Sequence, residues 1–263
     1  MNTVLKLLVS FSLFFTAGLS TAETFIVGAQ NIHYYPHYDF TSNRDKGLAW
    51  AILQAFSEYS GHDFIYHAMP IVRLQRELKK GSVDFVYPDN PRWYNPVTNA
   101  DEKYFSAPVV ESFGGTIMPK SNLGMDIDQI EYLGIPKGFT PVSWQQRIED
   151  HTTQLVQEGN IENLLFYVQS GKIQAANLEF HVMQYYTERI PELSDLTLDL
   201  SLPHDEVGFT LSTINHPELI QQFNAFMQEK YELIEEIKQR YGIKSGCEII
   251  AYLSAKAGCN PDS

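Results

Sequence analysis

The sequence contains little cysteine, and what it has lies at one end. Its two cysteines, Cys247 and Cys259, are both in the C-terminal tail. A cysteine-based metal site would need further ligands of that kind, so the pair favours a disulfide that closes a small loop in an oxidising compartment. Metal ligation is the minor alternative.

Basic residues are also scarce, with 19 Lys and Arg against 32 Asp and Glu and a formal net charge of −13 at pH 7. An acidic surface repels nucleic acid and anionic lipid, so neither is expected as a partner. This charge says little about a small ligand in a cleft. Aromatic residues, in contrast, make up 13% of the chain, including 15 Tyr, which suggests that some line a site.

Only one apolar run approaches the length of a membrane span. It covers residues 7–19, after Lys6 and before the small residues Ser20 and Ala22. This order is typical of a secretory signal, with cleavage predicted after Ala22. An uncleaved anchor is the alternative, although the run is short for one. We therefore expect residues 1–22 to be removed and the mature chain to lie outside the cytoplasm.

Helix and strand patterns alternate through the first part of the chain. Apolar residues recur at helical spacing over residues 71–80, Gly81 is placed to end that helix, and an apolar strand follows at 83–87. Another helix is predicted at 48–59, before a strand at 64–66. Such alternation indicates βαβ crossovers and a mainly parallel α/β sheet.

Ligands of parallel sheets bind beyond the carboxyl ends of the strands. The polar and aromatic residues that follow the strand at 83–87 are therefore candidates, namely Tyr87, Asp89, Arg92 and Trp93. The first mature strand, at 24–29, leads into a loop that contains Tyr34 and Tyr35. That loop is interpreted either as an ordinary surface loop or as a wall of the ligand site.

The second half repeats the order of helix, glycine and strand, which implies two similar α/β lobes. A helix is predicted at 162–170, a strand at 172–178 and a helix at 179–189. Before them, a turn at 138–141 joins a strand at 132–135 to a helix at 142–150. Thr140 in this turn offers a hydroxyl to an anion, or else only caps the helix.

The order of these elements resembles the type 2 periplasmic solute-binding proteins, in particular the family-3 group related to polar amino acid binding components of ABC transporters. The similarity covers residues 24–243. Its motifs are the first strand leading to Pro36, the helix after Gly47, Gly81-Ser82-Val83-Asp84, Tyr104-Phe105-Ser106-Ala107-Pro108 and Gly171-Lys172-Ile173-Gln174-Ala175.

This resemblance implies two lobes, each a mainly parallel sheet flanked by helices, joined by two crossing segments that act as a hinge. Lobe 1 would comprise residues 23–112 and 205–243, and lobe 2 residues 113–204. Residues 244–263 would form a tail held by the disulfide. The implied protein is a periplasmic monomer without a cofactor or metal, which captures a small polar or aromatic, amino-acid-like solute between its lobes for an ABC-type transporter. The alternative is a protein that reports the solute to a membrane sensor.

The family's binding residues carry over unevenly. The aromatic that stacks on the ligand falls on Tyr34 or Tyr35, and the hydroxyl-bearing turn falls on Thr140. The acid that meets a ligand ammonium falls on Glu179, for which a solvated position at a helix N-terminus is an equal alternative.

The arginine that clamps a ligand carboxylate in amino-acid binders is missing at the expected position near Asn95 and Pro96. Arg92 and Arg73 are the nearest candidates, and neither matches the motif. The displacement argues against an α-amino acid. The aromatic and acidic segment around Asp89 would instead suit a cation or a peptide-like or cyclic compound.

An enzyme on the same fold is the rival interpretation. Cyclohexadienyl dehydratases resemble this family and use a carboxylic acid in the cleft, a role that Asp89 or Glu179 could be given. No nucleophile triad, phosphate loop or HExxH pattern accompanies them. His33 and His37 are four residues apart in a Pro-containing loop, which is weak support for a metal. His204 could contact a ligand or form a hydrogen bond within the hinge.

Overall fold

The computed structural model describes residues 22–254, and within this range it contains nine strands and eight α-helices. Residues 1–21 of the predicted signal segment, 1–22, lie outside the described residues. The predicted disulfide also involves Cys259, which is outside them too. Both therefore stay predictions.

The elements follow the chain in an order that alternates strands and helices. The strands are β1 (Thr24–Gln30), β2 (Asp63–Met69), β3 (Phe85–Asp89), β4 (Tyr104–Phe105), β5 (Val110–Pro119), β6 (Tyr132–Pro136), β7 (Gln154–Glu158), β8 (Ala175–Glu179) and β9 (Leu196–Thr213). The helices are α1 (Leu48–Ser60), α2 (Ile71–Lys80), α3 (Gln145–Glu149), α4 (Ile161–Gln169), α5 (Phe180–Arg189), α6 (Pro217–Glu229), α7 (Tyr231–Arg240) and α8 (Gly246–Leu253).

Two long antiparallel strands, β5 and β9, connect the two halves of the sheet. The strand order is β2-β1-β3-β9-β5-β8-β6-β7, and β4 pairs with β9. Pairing is parallel on the outer sides, between β1 and its neighbours β2 and β3 and between β6 and its neighbours β7 and β8. It is antiparallel at β5 and β9. The α/β class and the two-lobed architecture are confirmed, with a mixed sheet because the crossing strands are antiparallel.

Helix α2 forms where the spacing of apolar residues predicts it. Leu74 and Leu78 are buried under α2, while Arg73 and Arg76 face solvent. Gly81 ends the helix in the left-handed conformation, with φ 72°, which costs a glycine little. Helix α1 packs against α6 and α7, so the C-terminal part of the chain returns to the first half of the molecule.

Several element boundaries differ from the predictions. The predicted helix at 142–150 is a 3₁₀ turn, Val142–Trp144, followed by the short α3. The sequence predicts a strand only at 207–212, but β9 is much longer, because backbone pairing to β5 and β3 sustains it through polar residues with no strand signal. Strand β7 and helix α8 were not predicted. No helix within residues 22–254 is long and apolar enough to cross a membrane.

The described residues bury aromatic side chains in both halves of the sheet. Phe56 packs edge-to-face on Phe223, with ring centroids 5.0 Å apart, where α1 meets α6. In the other half, Trp144 is fully buried and donates a hydrogen bond to Thr116 Oγ1 at 3.1 Å. One of these contacts thus lies in each half of the sheet, on either side of the crossing strands β5 and β9.

Candidate ligand-binding site

A cavity of about 90 Å³, here called the inner cavity, lies where the two halves of the sheet face each other. Parts of the β1 loop, the segment after β3, the turn after β6, the end of β8 and the crossing strands enclose it. The lining residues are Gln30, Tyr34, Ile71, Leu74, Gln75, Val86, Pro88, Asp89, Trp93, Tyr94, Asn95, Ser112, Gly114, Gly138, Phe139, Thr140, Asn177, Leu178, Glu179, Val207 and Phe209. The wall combines five aromatic rings and six aliphatic side chains with four amides, the hydroxyls of Ser112 and Thr140, and the carboxylates of Asp89 and Glu179.

A second space of about 400 Å³, here called the outer groove, adjoins the inner cavity and shares Gln30, Ile71, Gly138 and Phe139 with it. Its lining includes one charged side chain, Lys137. Typical small-molecule sites enclose roughly 300–1,000 Å³. The inner cavity alone therefore fits only a small compound, and a larger one would extend into the outer groove.

Glycine at position 47 allows the β1 loop to fold back onto α1. Gly47 has φ 89°, and a Cβ at this position would lie 2.8 Å from the carbonyl oxygen of Pro36. The first free N–H groups of α1, on Leu48 and Ala49, donate to the carbonyls of Pro36 and His37 at 2.9 and 3.0 Å. Because these carbonyls cap the helix, His37 is held at a fixed place beside the cavity.

Glu179 is the centre of a buried group, the Glu179 cluster, made of Glu179, His37 and His181. Glu179 ends β8 and caps α5, since its Oε2 accepts a hydrogen bond from the Val182 N–H at 2.9 Å. Its Oε1 lies 2.7 Å from Nδ1 of His181, and its Oε2 lies 2.9 Å from Nε2 of His37. The carboxylate is 2% exposed. It occupies the predicted helix-terminal position, but it is buried rather than solvated.

The histidines determine the charge state of this carboxyl. Burial by itself raises the pKa of Glu179, but the neighbouring His37 and His181 more than reverse this effect and hold the pKa well below its ordinary value. Tyr34 lies against the same group, and burial, followed by the charge on Glu179, raises the pKa of the Tyr34 hydroxyl. Glu179 is therefore ionised and Tyr34 neutral at physiological pH.

The ligand atoms of the Glu179 cluster all lie within 4.8 Å of one another, a spacing that could hold a metal ion. The hydrogen bonding of His181 argues against it. Its Nε2 accepts from the backbone N–H of Lys244 at 2.9 Å, so the ring proton of the neutral imidazole is on Nδ1, where it is donated to Glu179. A metal-binding histidine needs the opposite arrangement, with its other nitrogen donating. The cluster fits a hydrogen-bonded carboxylate better than a metal site.

Asp89 belongs to a second buried group, the Asp89 network, made of Asp89, Lys103, Gln75 and Ser212. Its Oδ2 lies 2.7 Å from Lys103 Nζ and accepts from Ser212 Oγ at 2.6 Å and from Gln75 Nε2 at 3.3 Å. The other carboxylate oxygen accepts from the Asn90 N–H at 2.9 Å. The lysine side chain is 3% exposed. Asp89 therefore lines the cavity with a charge that Lys103 already balances.

The structure brings five of the nine sequence-predicted ligand residues to the inner cavity: Tyr34, Asp89, Trp93, Thr140 and Glu179. Thr140 lies in the wall, and no side-chain hydrogen bond from it caps the 3₁₀ turn or α3. Tyr34 packs on Phe139 across the cavity, with ring centroids 5.2 Å apart. Binding of a ligand by these residues stays a prediction.

The other four predicted residues lie elsewhere. Arg73 is exposed on α2. Arg92 forms an ion pair with Asp205 on β9 and donates to the Glu206 carbonyl at 3.2 Å. Tyr35 donates to Asp45 at 3.0 Å, and Tyr87 is buried with a hydroxyl that has no hydrogen-bond partner among the described residues.

Further contacts join the β1 loop to α5 beside the cavity. His33 Nδ1 lies 2.6 Å from the hydroxyl of Tyr186, and the rings of Tyr35 and Tyr185 are 4.9 Å apart. His204, in contrast, is turned towards the Leu202 carbonyl at 2.8 Å and stacks on Phe113. The β1 loop thus contacts α5 in the other half of the sheet through both polar and aromatic side chains.

Sequence patterns do not reveal the residues that neutralise the two acids. Lys103, Gln75 and His181 belong to no motif, and only the fold places them against Asp89 and Glu179. The only signal for His37 in the sequence is its spacing from His33. Phe139 and Asn177 carried a partial signal, because each lies in or next to a predicted turn or strand end.

The fold matches that of two-lobed periplasmic binding proteins. The chain is similar to an arginine transport system periplasmic binding protein from Legionella pneumophila, with a TM-score of 0.66 and 17% identity over 84% of this chain and 100% of that one. It is also similar to the GluR0 ligand-binding core in complex with L-glutamate, with a TM-score of 0.68 and 16% identity over 85% and 99% of the two chains.

The Bordetella pertussis BvgS VFT2 domain is a third similar structure, with a TM-score of 0.64 and 19% identity over 83% of this chain and 93% of that one. No protein-family model and no curated protein sequence matches the chain. At these identities the likeness shows the fold alone, and function must be argued from the site.

Proposed function

We propose that this protein is an extracytoplasmic solute-binding protein that captures a small polar or aromatic solute between its two lobes. The observation that carries the proposal is the inner cavity, which is enclosed between the β1 loop and the turn after β6 and lined by Tyr34, Trp93 and Phe139. Aromatic walls with a few polar groups are typical of small-molecule sites. The structural neighbours include an arginine transport system protein and a glutamate-bound core.

The lobes in this proposal comprise residues 23–112 with 205–243, and residues 113–204. The packing of α1 against α6 and α7 supports the return of the chain to lobe 1. Strands β5 and β9 would act as the hinge, and closure would trap the solute.

The protein would be a monomer that delivers its solute to an ABC-type permease, or reports it to a membrane sensor. Adjacent genes for a permease and ATPase, or for a sensor kinase, would separate these two roles.

A lyase activity needs a protonated carboxylic acid in the cleft to act as general acid. Glu179 is held ionised by His37 and His181, and Asp89 is paired with Lys103. Neither carboxyl is suited to donate a proton, so binding without turnover is the better-supported function.

A thermal-shift screen of the purified protein against amino acids, polyamines, small peptides, organic acids and cyclic compounds tests the proposal. A compound that binds only the folded state at a hundredfold excess over its Kd adds about 2.7 kcal/mol to the free energy of unfolding. At least one class should raise the Tm, with calorimetry giving a stoichiometry of one. Turnover of a cyclic hit, or no hit in any class, would contradict the proposal.

A further inference from the structure

The ligand class can be narrowed from the charges around the inner cavity, on the assumption that the proposed solute-binding function holds. We infer that the solute is a small uncharged molecule, with hydrogen-bonding groups on a ring or other apolar skeleton, and not a free α-amino acid. The inference follows from two observations: the acidic side chains that line the cavity, Asp89 and Glu179, are already paired, and no basic side chain of the described residues lines it.

No cationic side chain of the described residues lines the inner cavity. Lys103, just behind the wall, is bound to Asp89, and Arg92 is bound to Asp205 outside it. Lys137 lines only the outer groove. A ligand carboxylate in the inner cavity would lose its hydration without gaining a counterion, and burying an unpaired charge is very unfavourable. Anionic and zwitterionic solutes are thereby disfavoured.

The two acidic residues of the wall are equally unavailable to a ligand cation. In the Glu179 cluster, one carboxylate oxygen faces His181 and the other faces both His37 and the Val182 N–H. In the Asp89 network, Lys103 supplies the opposite charge. An ionised carboxylate offers about four acceptor positions. Asp89 is met by Lys103, Ser212, Gln75 and the Asn90 N–H. Glu179 accepts from His181 and the Val182 N–H, with His37 Nε2 2.9 Å from Oε2. The imidazole of His37 thus occupies the space beside one oxygen of the Glu179 carboxylate.

The groups that remain are uncharged. Gln30 accepts the Tyr38 hydroxyl at 2.6 Å through Oε1, which leaves its amide N–H groups to donate. Asn177 makes one long hydrogen bond, from Nδ2 to the Gly115 carbonyl at 3.5 Å, so its Oδ1 can accept. Thr140 adds a hydroxyl to the same wall. Neutral donors and acceptors beside aromatic faces complement an amide, lactam, phenol or nucleobase-like ring.

Compounds of matched shape and different charge test this inference. Benzamide, phenol, uracil and 2-pyrrolidone form the neutral set, with benzoate, benzylammonium and phenylalanine as charged counterparts, each titrated by calorimetry and thermal shift at neutral pH. We expect at least one neutral probe to bind tenfold or more tighter than any charged counterpart. Trp93→Ala and Thr140→Val should weaken that binding at least several-fold, while Tyr231→Ala, which removes an exposed ring on α7, should leave it unchanged.

The outcomes separate the inference from the function on which it rests. Charged probes that bind as tightly as the neutral ones, at the same cavity residues, would overturn the uncharged-ligand inference and leave solute binding intact. If neither these probes nor the broad screen yields a binder, the proposed function fails and the inference fails with it. Binding of a neutral probe that Trp93→Ala and Thr140→Val do not affect would place it outside the inner cavity and would also overturn the inference.

Discussion

The imidazole of His37 lies 2.9 Å from the carboxylate of Glu179, with both side chains buried. The contact joins the loop after β1 to the start of α5. Breaking a buried pair from one side costs about 3–5 kcal/mol, because the remaining group loses its partner without regaining water. The Glu179 cluster therefore holds the two halves of the molecule together and also forms part of the cavity wall.

The first prediction concerns how much the Glu179 cluster contributes to the free energy of unfolding. Glu179→Gln should lower the free energy of unfolding by about 3 kcal/mol at pH 7, since both histidines and the α5 cap lose their charged partner. Urea denaturation followed by tryptophan fluorescence measures it. Glu248→Gln is the control, because Glu248 is also a carboxylate that hydrogen-bonds at a helix N-terminus, but it does so at the surface, by accepting from the Ser245 N–H. A cost for Glu179→Gln no larger than that of the control would contradict the prediction.

The second prediction follows from the depressed pKa of Glu179. In the unfolded chain this carboxyl titrates near its ordinary pKa of 4.5, and in the folded protein it titrates lower. Its contribution to stability is therefore complete above pH 4.5 and is lost as the pH falls towards the folded value. The difference in unfolding free energy between the wild type and Glu179→Gln should shrink between pH 5 and pH 3.

The depressed pKa values of Asp45, Asp199 and Glu248 change the acid stability of both proteins alike, so they cancel in this difference. Denaturation curves at half-unit pH steps provide the measurement. A difference that stays constant over this pH range would show that Glu179 has the same pKa in both states.

The third prediction concerns the Asp89 network. Asp89→Asn and Lys103→Met should each destabilise the protein by about 3 kcal/mol, because each leaves the opposite charge buried alone. The double variant should cost clearly less than the two singles together, since it removes both charges. A double-mutant cycle in urea measures this coupling. Strict additivity would mean that the two groups do not interact.

The fourth prediction separates two effects at Gly47. Gly47→Ala combines a positive φ with a steric clash on the Pro36 carbonyl, whereas Gly61→Ala combines a similar φ, 74°, with open space. Gly61→Ala should cost about 1 kcal/mol for the left-handed backbone. Gly47→Ala should cost clearly more and should speed amide exchange in the loop that holds His37. Equal destabilisation by Gly47→Ala and Gly61→Ala would show that the close approach of Gly47 to the Pro36 carbonyl is unimportant.

Much of the fold could be predicted because it depends on local patterns. The apolar spacing of Leu74 and Leu78 and the glycine after α2 act within a few residues, and the structure confirms them. The charge balance of the site depends on distant residues. Glu179 and His37 are 142 positions apart in the sequence and meet only in the folded molecule. No spacing rule links Lys103 to Asp89 either. The sequence therefore predicts an acidic site at Asp89, whereas in the structure Lys103 balances its charge.

The last prediction tests which side chains contact the solute. Trp93 lines the inner cavity, whereas Arg73, an alternative carboxylate clamp by sequence, is exposed on α2. Trp93→Ala should weaken binding of a hit from the ligand screen by tenfold or more, which is about 1.4 kcal/mol, because it removes an aromatic face. Arg73→Ala should leave the Kd within about twofold, a change below roughly 0.5 kcal/mol. Isothermal titration of both variants decides between them, since a large loss in Arg73→Ala alone would mean that the bound form reorganises to bring a cation into the cleft.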